Sequence, residues 1–340
     1  MKLFETQSGV AVANDAQMKP ATTAKVAPPA GSFGADLLAA LGTHPKSIAP
    51  KYFYDVEGSR LFDQICELPE YYPTRTETAL LHERAGDIAQ HIGPQADLVE
   101  FGAGAMTKVR ILLAALGQAG SLPSRYVPID ISGDYLNEAA VGLRQQFSQL
   151  RVEPLAADYS QGLVLPASPP GTRQRVGFFP GSTIGNYTPD EAVEFFRMAA
   201  GVLRGGALLI GADLIKDPAD LHAAYSDAQG VTAAFNLNLL ARANRELGAN
   251  FELAQFAHSA FYNAPLQRIE MHLMSRVRQQ VTVCGQTFSF DEGETLHTEN
   301  SCKFTVESLR GLARRAGFTP GPVWMDAGKK FSVHWLVAPK

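Results

Sequence analysis

From Asp97 onward the chain alternates between short apolar runs and stretches with helical spacing. Residues 98–101, 126–131, 152–157, 176–179 and 207–214 read as strands; 107–116, 135–147 and 190–203 read as helices, the last stopped by Gly205-Gly206. Short apolar strands separated by helices predict a parallel, doubly wound sheet covered on both faces. After Asp217 the rhythm changes. Two helical segments, about 218–228 and 230–248, precede a strand-rich stretch from 251 to about 290, where Ile269, Met271 and Leu273 alternate with Glu270 and His272. A helix over 308–316 and a strand over 331–336 then restore the first pattern. A chain that leaves its sheet and returns predicts an inserted second domain. Upstream, 34–41 reads as a short helix, and Tyr52, Phe53, Tyr54, Phe62, Tyr71 and Tyr72 form an aromatic cluster. Residues 1–30, rich in Ala, Pro, Thr and Lys without periodicity, read as a disordered tail.

Composition narrows the class. The 340 residues are 46% hydrophobic and 19% charged, with a formal net charge of -4, which argues against a nucleic-acid or anionic-membrane partner. No apolar run approaches the ~20 residues of a membrane span, and residues 1–18 lack the apolar core of a secretory signal. Cys66, Cys284 and Cys302 lie far apart without metal-site spacing, and the eight histidines are scattered. The expectation is a reduced, cytoplasmic, monomeric protein with no metal, acting on a small molecule.

The chemistry concentrates at strand ends. In residues 178–186, Phe-Phe-Pro-Gly-Ser-Thr-Ile-Gly-Asn, a buried strand stops at Pro180-Gly181 and polar groups crowd one turn. In open α/β sheets ligands bind at that end of the strands. Glu100-Phe101-Gly102-Ala103-Gly104-Ala105 sits where the first strand meets the first helix. The third glycine of a dinucleotide fingerprint would fall at Thr107, and no Gly-rich loop ends in Lys-Ser or Lys-Thr. Asp130 ends the second strand, where a carboxylate can accept both hydroxyls of a ribose. Asp158-Tyr159 follows the third, an acid and an aromatic suited to an adenine edge and face. Either acid alone could simply cap a helix. The ordered set resembles a class I S-adenosylmethionine-dependent methyltransferase.

Longer blocks sharpen the resemblance. Lys51-Tyr52-Phe53-Tyr54-Asp55, residues 68–77 (Leu-Pro-Glu-Tyr-Tyr-Pro-Thr-Arg-Thr-Glu), 179–186, 230–238 and 298–304 (Thr-Glu-Asn-Ser-Cys-Lys-Phe) resemble the histidine Nα-methyltransferase family of ergothioneine biosynthesis, over residues 45–340. The resemblance implies trimethylation of the α-amino group of L-histidine to hercynine. It implies an α/β, Rossmann-like class I methyltransferase sheet over 77–214 and 303–340, with a smaller inserted α+β substrate-binding domain over 31–76 and 215–302. It assigns S-adenosyl-L-methionine to Gly102, Lys108, Asp130, Asp158 and Tyr159. The substrate falls to Tyr54, Phe62, Tyr71, Gly181, Asn186, Tyr225, Met271, Glu299 and Ser301, with Tyr54 and Asn186 at the reacting amine. Asn186 and Tyr225 would hold the amino and carboxylate groups, and Glu299 with Ser301 the imidazole. The chain departs from the family pattern at Ala103, Ala105, Tyr159 and Asn300-Ser301-Cys302, without losing an implied polar ligand.

The residue types make independent sense. In an extended strand Glu299 and Ser301 share a face, and a carboxylate beside a hydroxyl matches the two nitrogens of an imidazole. The plain alternative for Glu299 is an edge-strand ion pair with Lys303; for Tyr54, Phe62, Tyr71 and Met271 it is core packing. Alternatives of function are methyl transfer to another amino acid or small amine, a nicotinamide-dependent oxidoreductase, and a catalytically silent cofactor-binding protein.

Overall fold

The computed structural model describes residues 28–29 and 31–340; all but Pro28 and Pro29 of the expected tail lies outside them. In chain order the elements open with α1 (Phe33–Leu41), β1 (Lys46–Ser47), α2 (Val56–Glu67) and α3 (Tyr72–Ile92). There follow β2 (Asp97–Phe101), α4 (Thr107–Gln118), β3 (Arg125–Asp130), α5 (Gly133–Gln146), β4 (Leu155–Ala156), β5 (Arg175–Phe179), α6 (Pro189–Val202) and β6 (Ala207–Asp213). The excursion comprises α7 (Pro218–Tyr225), α8 (Val231–Leu247), β7 (Phe256–Asn263), β8 (Arg268–Ser275), β9 (Gln279–Val283), β10 (Gln286–Phe290) and β11 (Thr295–Cys302). The chain closes with α9 (Val306–Arg315), β12 (Thr319–Met325) and β13 (Phe331–Val337).

Seven strands form one sheet in the order β12-β13-β6-β5-β2-β3-β4. From β6 to β4 all pairings are parallel, while β13 runs antiparallel to both β6 and β12. Both faces are covered, which is why these strands read as unbroken apolar runs: Leu98 packs with Leu112 and Leu113 of α4, Val99 and Phe101 with Phe196 of α6. Helix α4 buries Val109, Leu112, Leu113 and Leu116, one stripe at helical spacing. Helix α6 begins at a capping box in which Thr188 and Glu191 satisfy each other's backbone.

A second sheet, β1-β11-β8-β7, packs with α8 around its own core, which includes Phe235, Phe256, Met271 and Leu273. In β11 an irregularity between His297 and Glu299 shifts the register, after which Glu299 faces Met271 and Ser301 faces Ile269 across β8. Among the described residues no helix is long and apolar enough to cross a membrane.

Several elements escape the sequence pattern, α2 and β1 among them, and two more show why. Residues 72–92 form a 21-residue helix, α3, whose buried side includes the charged Glu77. That break in its apolar stripe hides its period. Strand β12 carries two prolines and a glycine, is mostly half-exposed, and pairs only with β13, as prolines require of an edge. The strand expected over 152–157 shrinks to a single bridge at Val152 and the two residues of β4.

The sheet's two ends differ. At the amino ends of the parallel strands Asp97 is clasped by Arg125 at 2.8 Å and Arg175 at 2.9 Å. At the carboxyl end, where the chain leaves for the second sheet, Asp213 accepts from Lys303 at 2.9 Å, Lys216 at 2.5 Å and the Tyr72 hydroxyl at 2.6 Å. The returning chain is stitched there too: the amide of Phe304 donates to the Asp213 carbonyl, and that of Ile215 to the Phe304 carbonyl, each at 2.9 Å. Removing one partner of a buried ion pair leaves an uncompensated charge, at about 3–5 kcal/mol. Asp213→Ala strands two lysines and should lose stability on that scale in urea denaturation; Lys303→Met, which leaves Asp213 with Lys216, should lose less.

Candidate active site

A cavity of about 970 Å³ opens along the carboxyl ends of the parallel strands, with an adjoining recess of about 40 Å³ toward the second sheet. Its size lies at the top of the range for small-molecule sites, ~300–1,000 Å³, and suits two ligands side by side.

At one end lies the glycine turn between β2 and α4. Gly102 and Gly104 have φ of +68° and +48°, in the left-handed region that favours glycine. The turn is anchored to β3: the amides of Gly102 and Ala103 donate to the Ile129 carbonyl, and that of Gly104 to Asp130 Oδ2 at 3.0 Å. Asp130 also accepts from the Ser132 amide, lines the cavity, and has its carboxyl pKa raised by burial. Asp158 caps the short turn Tyr159–Gln161 and pairs with Lys51 at 2.9 Å. Burial pushes its carboxyl up, but the hydrogen bonds of Ser160 and Lys51 prevail and hold it below its usual value. The Tyr159 ring meets Phe101 and Phe195 edge-on at 5.9 and 6.1 Å. Lys108 lines the cavity beside Gly181 with its ammonium on Glu77. All five expected cofactor residues therefore border one space.

The strand end that dominates the sequence sits midway. Strand β5 stops at Phe179, and Gly181 (φ +80°) turns the chain so that its amide donates to both Glu77 oxygens, at 3.0 and 2.8 Å. The short helical turn Thr183–Asn186 follows, and Asn186 lines both cavity and recess. Tyr54, Phe62, Tyr71 and Glu299 line both as well; Tyr225 and Ser301 line the recess alone. The aromatics form an edge-on series: Tyr54 to Phe62 at 5.6 Å, Phe62 to Tyr71 at 6.3 Å, Tyr71 to Tyr225 at 6.1 Å. Burial lifts the Tyr54 hydroxyl well above its ordinary pKa, with Glu299 adding to the effect, so it remains a neutral phenol. Met271 is fully buried in the core of the second sheet and borders neither space.

Glu299 does not pair with Lys303, which binds Asp213 instead. Among the described residues no side chain donates to the Glu299 carboxylate, and burial raises its pKa to about 7, partly offset by the Lys303 charge. Ser301 Oγ lies 2.6 Å from both the Tyr225 hydroxyl and Lys303 Nζ.

Glu270, His272 and His297 also gather, their ligand atoms within 4.8 Å of one another. The two imidazoles stack, centroids 4.6 Å apart and planes 18° apart. A metal must lie in the plane of each ring about 2.0–2.1 Å from its nitrogen, and stacked rings cannot both aim at one ion. Their Nε2 atoms face Glu270 and the Glu299 carbonyl.

Strand order with an antiparallel β13 beside β6, a glycine turn after β2 and acids after β3 and β4 define a class I S-adenosylmethionine-dependent methyltransferase. The family of histidine-specific, S-adenosylmethionine-dependent methyltransferases matches residues 33–338, and the chain belongs to it. It is 43% identical over 302 residues to the histidine N-alpha-methyltransferase of Mycobacterium tuberculosis (strain CDC 1551 / Oshkosh), covering 88% of this chain and 92% of that one. The protein of the same description from Mycolicibacterium smegmatis is 41% identical over 305 residues, 89% and 94% of the two chains. A 4-dimethylallyltryptophan N-methyltransferase of Claviceps purpurea is 25% identical over 332 residues, 90% and 94%.

Sequence reasoning assigned no role to Glu77, Asp213 or Lys51. Glu77 and Asp213 act on the site through residues far away in sequence; a charge within an apolar helix or at the end of an apolar strand marks them, and Glu77 also closes the block 68–77, which gives it no role. Lys51 opens the motif Lys51-Tyr52-Phe53-Tyr54-Asp55, but nothing in sequence links it to Asp158.

A carboxyl with a raised folded pKa costs nothing below its unfolded value of ~4.3; stability is lost as pH rises from there to the folded value of about 7, above which the loss is constant. The ligand-free Glu299→Gln variant should therefore melt above wild type at pH 8, with the gap closing toward pH 4.5. A gap unaffected by pH would show that Glu299 ionises freely.

Proposed function

We propose that the enzyme methylates the α-amino group of L-histidine three times, yielding hercynine for ergothioneine biosynthesis. The observation that carries this reading is the recess beyond Asn186, bordered by Glu299 and Ser301 of one strand, where among the described residues no side chain donates to the Glu299 carboxylate. The identities of 43% and 41% to histidine N-alpha-methyltransferases support the same acceptor.

In this reading Glu299 and Ser301 hold the imidazole, and a site built to bind its nitrogens excludes analogues that would leave those groups unpaired. The Tyr225 hydroxyl, bound to Ser301, belongs to the ring end rather than to the substrate carboxylate. Asn186, whose amide has no partner among the described residues, and Tyr54 serve the amino-acid end. Phe62, Tyr71 and Gly181 shape the passage between. The second sheet with α2, α7 and α8 is the substrate-binding part, and the glycine turn with Asp130, Asp158 and Tyr159 holds S-adenosylmethionine. Lys108 acts on that pocket through Glu77, and Met271 supports Glu299 from the core.

Bound S-adenosylmethionine supplies an activated sulfonium methyl to a neutral amine. The protein's part is positioning and desolvation. The α-amino group of a free amino acid is protonated at neutral pH, held so by its own carboxylate, so a proton must leave before each transfer. Tyr54, kept a phenol by burial, relays that proton to water instead of acting as an ionised base.

Mass spectrometry after incubation with L-histidine and S-adenosylmethionine should find a product heavier by three methyl groups. A product stopping at one methyl, or none on histidine, would reject the reading. Asp130→Ala should weaken S-adenosylmethionine binding in calorimetry at least tenfold, ~1.4 kcal/mol; wild-type affinity would release Asp130 from the ribose.

A further inference from the structure

Counting hydrogens around Ser301 restricts what it can offer a ligand. Lys303 Nζ has three N–H groups and three oxygens about it: Asp213 Oδ2 at 2.9 Å, Ser301 Oγ at 2.6 Å and the Tyr225 hydroxyl at 3.3 Å. An ammonium only donates, so a lone pair on each hydroxyl is occupied. The two hydroxyls lie 2.6 Å apart, and one donates to the other. A phenol is the stronger acid and weaker acceptor, so Tyr225 donates. Ser301 then accepts twice, and its own proton must go elsewhere. Asp213 takes Tyr72 and Lys303 on Oδ2 and Lys216 on Oδ1, and among the described residues Ser301 makes no hydrogen bond to it. What remains is the recess shared with Glu299.

We propose that Lys303, acting through Tyr225 and Ser301, makes the site select the neutral form of the acceptor ring, with its lone-pair nitrogen on Ser301 and its N–H on Glu299. This rests on the assignment of the recess to imidazole. An imidazolium carries N–H at both nitrogens and no lone pair. It would meet Ser301 proton to proton, with the Lys303 ammonium directly behind. The titratable groups bordering the recess are Glu299 from β11, the phenols of Tyr54, Tyr71 and Tyr225, which burial keeps protonated, and the paired Asp213 and Lys303; Lys216 reaches Asp213 from the far side of that pair. Lys303 borders the recess, but its three N–H groups go to Asp213, Ser301 and Tyr225; it is a positioning residue that sets ring charge through Ser301.

The test compares kcat/KM for L-histidine and for 2-fluoro-L-histidine, whose fluorine keeps the ring neutral, from pH 5 to 8.5 with saturating S-adenosylmethionine. The ratio of the two cancels titration of the enzyme and of the amine. It should be flat above about pH 7.5 and fall toward tenfold per pH unit below the free-ring pKa of ~6.5. A ratio flat throughout, or rising toward low pH, overturns the proposal. In Lys303→Met and in Tyr225→Phe, which keeps the buried ion pair should the first variant fail to fold, Ser301 regains a lone pair and the fall should become shallower. If both variants merely slow the two substrates alike, Lys303 has only a structural role and the proposal is rejected. Separately, wild-type kinetics on histidine in Glu299→Ala and Ser301→Ala would remove imidazole from the recess, a failure of the underlying assignment rather than of the ring-charge argument.

Discussion

The fold turns on a buried carboxylate at the end of β6. Asp213 is where the chain departs for the second sheet, and Lys303 and Phe304 are where it returns. A long excursion costs chain entropy to close, and here it closes on two lysine contacts, a tyrosine hydroxyl and main-chain hydrogen bonds to Phe304. Because Tyr72 begins α3, the same carboxylate also ties in the segment that precedes the large sheet. Three separate stretches of sequence are thus brought to one point beside the recess. Unpaired, such a charge would be intolerable; fully satisfied, it fixes a geometry that apolar packing alone would leave free to slide.

Burial also sets the chemistry. Glu299 and Glu100, both at the cavity, are driven up to about 7 and about 8. Their difference lies in their partners. The Tyr126 hydroxyl donates to Glu100 at the base of the glycine turn, whereas Glu299 awaits a donor. A carboxyl that titrates near neutrality and, among the described residues, has no side-chain donor is a strong invitation to a ligand N–H, and the same desolvation would strengthen any hydrogen bond made there.

Much of this was legible before any coordinates. The large sheet announced itself because both its faces are covered, leaving apolar runs too short for anything but strands. The glycine turn, Asp130, Asp158 and the turn after Phe179 were readable because each sits at a strand end, where local sequence and position coincide. The second sheet was read only as strand-rich, and β11, which carries Glu299 and Ser301, took its place through a motif rather than a period. Glu77 shows the limit: a charge on a buried helix face looks like a flaw in the pattern until Gly181 and Lys108 are found against it. Met271 is the reverse case: the resemblance places it with the substrate and its register neighbour is Glu299, while its own side chain lies in the core, the plainer of its two readings. The expected Glu299–Lys303 alternative also needed the fold to be decided, because Asp213 competes for the lysine from nearly a hundred residues away.

One contact in the turn Thr183–Asn186 reaches further. A Cβ on Gly185 would lie 2.9 Å from the Cys302 carbonyl oxygen, so the turn and β11 touch main chain to main chain with no side chain between them. Asn186 stands on one side of that contact, and Glu299 and Ser301 on the other. The spacing of their backbones is consequently set by main-chain contact, leaving only side-chain length and rotamer to adjust the gap. Under the proposed assignment, an acceptor is measured by the number of bonds between its amine and its ring before either end is inspected for its chemistry. Relatives that accept other amines can alter the residues at the two jaws, but altering the span itself would require moving a strand.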